Sequence, residues 1–93
     1  MARLDEDEVA RRLEELDGWT RAGDAITRDF SCGDFAGSVE FVNRLTPAAE
    51  EMNHHPDLTS SWSTVTVTLS THSEGGLTAA DFELARKIDD LAD

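Results

Sequence analysis

The stretch TVTVTLSTH, Thr64 to His72, sets Val65, Val67 and Leu69 in strict alternation with Thr64, Thr66, Thr68 and Ser70. Successive side chains of a strand point to opposite faces, so this segment is expected to be a β-strand with one apolar face and one hydroxyl-bearing face. If the alternation holds to its end, His72 shares the polar face and is carried on a rigid element.

Working outward, Glu74-Gly75-Gly76-Leu77 breaks the strand. Thr78 followed by Asp81 then forms a capping box, and Leu77 with Phe82 a hydrophobic staple, so a last helix begins there with Phe82, Ala85, Ile88 and Leu91 or Ala92 inward. Upstream, Phe35, Val39, Val42, Leu45, Ala49 and Met52 recur three and four apart behind a candidate N-cap, Asp34, and predict a helix to about Met52. Pro47 points away from that stripe, so its missing hydrogen bond should bend the helix rather than end it. The segment WTRAGDAITRDFSC, Trp19 to Cys32, predicts a hairpin around Gly23-Asp24 with Ile26 and Phe30 on one face and Thr27 and Asp29 on the other. Arg28 interrupts the apolar face.

At the start of the chain Asp5 is the expected N-cap, with Glu8 reaching back to it and Leu4 packing on Val9. Val9, Leu13 and Leu16 make the apolar stripe of this first helix, and Gly18 supplies its stop. Together these elements predict an α+β fold: a four-stranded antiparallel sheet with three helices packed on one face, in the order α-β-β-α-β-β-α. Residues 1–93 form one domain. The threonine- and serine-rich face of the sheet is left for a ligand or partner.

The 8 Lys and Arg against 20 Asp and Glu give a formal charge of -12, which repels nucleic-acid backbones and anionic membranes and offers no basic stripe to bind them. The acidity fits either a salt-rich cytoplasm or plain solubility. With one cysteine, Cys32, there is no intrachain disulfide, and Cys32 is expected to be a buried, inert thiol. No signal segment or membrane-length apolar run occurs, so the expected location is the cytoplasm.

The candidate site is EEMNHHPDL, Glu50 to Leu58, with His54 and His55 at the end of the long helix and the third histidine, His72, after the strand. Pro56 disfavours helical geometry at His55, so both histidines lie where backbone geometry is irregular and side chains can turn into a cleft. Histidine titrates near neutrality, and a gathered set can give and take protons. Paired histidines at a helix end also serve simply to cap carbonyls, so the third histidine decides the matter only if the fold brings it near. Metal binding, with Glu50 or Asp57 as further ligands, is disfavoured by the spacing: adjacent residues rarely aim at one ion, and no His-x-x-x-His or cysteine pair accompanies them.

On Glu50, His54, His55, Pro56, Trp62, His72 and Asp81 the sequence resembles the pterin-4a-carbinolamine dehydratase family, also known as dimerisation cofactors of a homeodomain transcription factor. Gly18-Trp19, Asp24 to Ile26, Leu69 to His72 and Gly76-Leu77 extend the likeness over nearly the whole chain. Leu58 stands where an aromatic is common, which alters one pocket wall, and Pro47 inside the second helix should leave the chemistry untouched. The resemblance implies dehydration of a 4a-hydroxytetrahydropterin to the quinonoid dihydropterin without metal or organic cofactor, in a homodimer or homotetramer. It implies His54 and His72 as the proton-transfer pair, His55 as a third catalytic histidine, and Glu50, Asn53, Pro56, Ser70 and Thr71 as substrate contacts. Asp81 has a sufficient explanation as a helix cap, Trp62 as core or subunit contact, and Trp19 is left open. A non-catalytic binding module of the same fold and a role in molybdenum-cofactor pterin metabolism are the alternatives.

Overall fold

The computed structural model describes residues 2–92 and runs α1 (Glu6–Glu14), β1 (Thr20–Ala22), β2 (Ala25–Ser31), α2 (Phe35–Met52), β3 (Asp57–Ser61), β4 (Thr64–Leu69), a single 3-10 turn at His72–Glu74, and α3 (Ala79–Ala92). The element order and the four-stranded antiparallel sheet are those read from the sequence. Strand order is β1-β2-β4-β3, so the alternating strand β4 lies inside the sheet and the short β1 and exposed β3 form its edges.

The alternation of β4 does what its period dictates. Val65, Val67 and Leu69 are fully buried and meet Ile26 and Phe30 of β2 under the helices. Thr66 and Thr68 stand on the other face, where Thr66 donates to Asp29 at 2.6 Å and Thr68 lies 3.2 Å from Thr27, its cross-strand partner. Arg28 interrupts the apolar face for a reason the strand pattern did not contain: its guanidinium lies 4.5 Å from the Phe30 ring centre and pairs with Asp89 of α3 at 2.7 Å. Asp89 also accepts from the indole of Trp19, which settles Trp19 as a core residue.

Local signals set most element ends. Asp5 caps α1 by accepting from the Glu8 N–H at 2.8 Å, and Asp34 caps α2 through the Gly37 N–H at 2.7 Å. Glu8 does not reach back, however; its carboxylate is taken by Arg11 and Arg12 on its own helix. α1 stops at Glu14, ahead of Gly18, whose positive φ of 89 serves the turn into β1. The β1–β2 connection is the two-residue turn Gly23-Asp24, with positive φ at Gly23 alone, the pattern of a type II′ hairpin. Pro47 sits on the exposed side of α2, and the helix continues through it to Met52.

Three expectations need correction. The buried side of α2 is Ser38, Phe41, Leu45 and Ala49, while Phe35 and Val39 are exposed. The apolar pattern of this helix is wider than its contact with the sheet, and tertiary packing selected one flank of it. Trp62 is neither in β4 nor in the core: with Ser63 it forms the β3–β4 turn, has φ 51, and is 72% exposed. Its carbonyl accepts from Ser38 at 2.7 Å, which ties that turn to α2. Cys32 is half-buried rather than buried, with Sγ 3.6 Å from the Phe30 carbonyl.

Candidate active site

The histidine pair is placed by the end of α2. Asn53 takes the left-handed conformation at φ 49, the His54 N–H returns to the Ala49 carbonyl at 3.0 Å, and the Asn53 N–H to Glu50 at 3.1 Å. These are the paired bonds of a Schellman motif, with Pro56 following to prevent helix continuation. The backbone of Asn53 thus makes the turn that places both histidines. The reversal it makes turns His54 inward and leaves His55 outward.

His54 meets the first turn of α3. Its Nε2 lies 2.5 Å from Asp81 Oδ1, with the histidine side chain 14% exposed and the aspartate fully buried. Asp81 Oδ2 accepts from the Thr78 N–H at 2.9 Å, the expected cap, and also from the Thr71 hydroxyl at 2.8 Å. Asp81 is thus more than a cap: it joins α3, the segment after β4 and the end of α2 at one carboxylate.

His55 faces the other way. Its Nε2 lies 2.5 Å from Glu50 Oε2, one turn back on α2, and both side chains are more than half exposed. Glu50, His55 and Pro56 form one side of a cavity of about 330 Å³ whose other walls are Leu45, Thr46, Ala49 and Leu58. Leu58 does line this wall, and the cavity reaches the lower end of the size range of small-molecule sites.

His72 departs from expectation. β4 ends at Leu69, Thr71 pairs with Gly76 in an isolated bridge, and Gly75 at φ 72 closes the 3-10 turn, so the chain folds back before the alternation can reach His72. His72 is therefore on a turn, 83% exposed, with Nε2 3.9 Å from Asp57 Oδ2 at the start of β3. Ser70 and Thr71 are engaged as well. Ser70 donates to the Asp24 carbonyl at 2.7 Å, and Thr71 uses its hydroxyl on Asp81 and its backbone on Gly76, so neither hydroxyl is free to act as a donor.

The fold thus gives each histidine a carboxylate: Asp81 for His54, Glu50 for His55, Asp57 for His72. Reading by sequence missed Asp81 as a site residue. The signal was present, because a carboxylate has two oxygens and a capping box needs only one of them, which leaves the other for another donor. Among the described residues, no group of three or more His, Cys, Asp or Glu is arranged to hold a metal ion, and no helix is long and apolar enough to cross a membrane. Of the three pairs, His55 with Glu50 lines the cavity, and an imidazole beside a carboxylate is equipped for proton transfer to and from a bound molecule.

The chain is similar to known proteins over nearly its whole length. The family model described as pterin 4 alpha carbinolamine dehydratase matches residues 2–91. A protein of Nocardia farcinica, provisionally named a pterin-4-alpha-carbinolamine dehydratase, is 48% identical over 96% of this chain and 94% of its own length. A relative in Sulfolobus acidocaldarius bearing the same provisional name is 48% identical over 96% of this chain and 98% of its own length. The crystal structure of a transcriptional coactivator/pterin dehydratase from Brucella melitensis is 40% identical, covers 98% of this chain and 99% of its own, and superposes with a TM-score of 0.93. A pterin dehydratase-like protein described as a RuBisCO assembly factor in the alpha-carboxysome shares the fold at 24% identity and a TM-score of 0.65, covering 80% of this chain and 86% of its own.

Proposed function

The chain belongs to the pterin-4a-carbinolamine dehydratase family, a family of hydro-lyases, and from that premise we propose that it eliminates water from a 4a-hydroxytetrahydropterin by histidine acid-base catalysis. In this reaction a base removes the proton on N5, the C4a–O bond breaks as an acid protonates the hydroxyl, and the N5 electron pair closes the C4a=N5 bond of the quinonoid dihydropterin. One water leaves, and no electrons are exchanged with a cofactor. General acid-base assistance of this kind commonly contributes ~10²- to 10⁴-fold in rate.

The observation that carries the reading is the 2.5 Å contact between His54 and the buried Asp81. His54 and His72 are the proton-transfer pair, and His55, aligned by Glu50, holds the pterin or serves the opposite stereoisomer. The reaction belongs to tetrahydropterin recycling in the cytoplasm. A stopped-flow assay of carbinolamine dehydration tests this: acceleration that a chelator does not reduce is expected, and a rate equal to the uncatalysed one removes the enzyme reading.

We further propose that the functional form is a homodimer or homotetramer. All five residues of the edge strand β3 are exposed with one side of their backbone unpaired, and Phe35, Val39, Leu58 and Trp62 expose apolar surface. Sedimentation equilibrium tests this, with a single species at the monomer mass of 10.2 kDa as the contrary result. The same exposed surface supports the second reading, a binding module of this fold, which predicts a folded oligomer without dehydratase activity.

A further inference from the structure

The hydrogen atoms around Asp81 can be counted. The Ala80 N–H donates to Thr78 Oγ1 at 3.3 Å, and Thr78 Oγ1 lies 2.9 Å from Thr71 Oγ1. Thr71 gives its single hydroxyl hydrogen to Asp81 Oδ2 at 2.8 Å, so the hydrogen between the two threonines is the one on Thr78. Asp81 Oδ2 also receives the Thr78 N–H, a donor that cannot reverse. With both donors on Oδ2, the group left to satisfy Oδ1 is His54, and an ionised carboxylate can only accept.

We propose that Asp81 is a positioning residue: ordered by Thr71 and Thr78, it fixes neutral His54 as the Nε2–H tautomer and leaves Nδ1 as the proton acceptor. Among the described residues Nδ1 has no hydrogen-bond partner, yet none of their buried side-chain nitrogens or oxygens is left unpaired, so Nδ1 reaches the surface. A buried carboxylate on one imidazole nitrogen that exposes the other is a general way to fix tautomer and ring direction. The inference rests on the dehydratase reading for its consequence: His54 is the base that takes the N5 proton onto Nδ1. The proton for the departing hydroxyl then comes from a different group, and the exposed His72 is free to carry it.

Asp81→Asn tests the assignment because it keeps the shape and changes the donor count. Its carbonyl oxygen must serve the fixed Thr78 N–H, so its NH₂ faces His54, whose Nε2 then has to accept and whose proton moves to Nδ1. Long-range ¹H–¹⁵N spectra of the imidazoles at alkaline pH should show His54 protonated on Nε2 in the native protein and on Nδ1 in the variant. In the same variant kcat should fall ~10²- to 10⁴-fold with KM little changed. A native His54 protonated on Nδ1 overturns the proposal, and that measurement stands even if the variant does not fold. A folded variant that keeps the native tautomer and native kcat overturns it equally. A native protein with the Nε2–H tautomer but no dehydratase activity would sink the enzymatic reading while leaving the tautomer assignment in place.

Discussion

His54 and His55 are adjacent in the chain and each touches a carboxylate at 2.5 Å, yet one contact is enclosed and the other stands in water. The Schellman turn at Asn53 makes the difference, sending one imidazole against the first turn of α3 and the other back along α2. An exposed pair such as His55–Glu50 is worth ~0.2–1 kcal/mol and is screened by salt. The enclosed pair is held from three elements, and breaking it leaves buried polar groups unpaired at a cost of ~1–3 kcal/mol. Identical chemistry in sequence thus becomes a fixed imidazole in one case and an adaptable one in the other.

The largest test of this contrast is a cycle of His54→Ala, His72→Ala and the double variant. If the two work as one proton-transfer unit, each single change lowers kcat substantially, ~10²- to 10⁴-fold at His54, and the double change costs little more than the worse single. Additive losses in steady-state kinetics would separate them. Next in size is stability: Asp81→Ala should cost ~1–3 kcal/mol in denaturant unfolding, because the Thr78 N–H and the Thr71 hydroxyl lose their acceptor, whereas Glu50→Ala should stay within ~0.5 kcal/mol. Equal costs would erase the distinction between the pairs. Glu50→Gln should lower kcat/KM by less than ~10-fold, with the difference shrinking as salt is raised. A salt-independent loss would mean that the exposed pair is shielded when substrate binds.

The smallest effect concerns an exposed pair remote from the site. The Arg21 guanidinium hydrogen-bonds Glu6 and holds its carboxyl below the ordinary value of 4.5. Since the folded value is depressed, this stabilisation is present above the unfolded value and fades as pH falls through the folded one. Glu6→Gln should therefore lower neutral stability slightly, leave stability below the folded value unchanged, and so flatten the pH dependence of unfolding in the acid range. A large change near neutrality in pH-resolved denaturation would contradict it.

Much of the fold was legible because its signals are local. The threonine–valine alternation of β4, the caps at Asp5 and Asp34, and Thr78 with Asp81 each act within a few residues and each formed as read. What could not be read depended on distant partners. Phe35 and Val39 fit the helical stripe, which left out Phe41, and only the position of the sheet put Phe41 in the core and left the other two exposed. The strand pattern could not announce the bridge from Thr71 to Gly76 that turns His72 off the sheet. Within the site, EEMNHHPDL marked where irregular backbone would gather histidines, but not which would be enclosed. That was decided by Asp81, 27 residues further on, whose local role as a cap was correct and incomplete.

The most direct measurement is the stopped-flow dehydration rate of the native protein beside its His54→Ala and His55→Ala variants. The account predicts catalysis by the native protein, near-background rates for His54→Ala and a smaller loss for His55→Ala. Native-like rates from His54→Ala would contradict it.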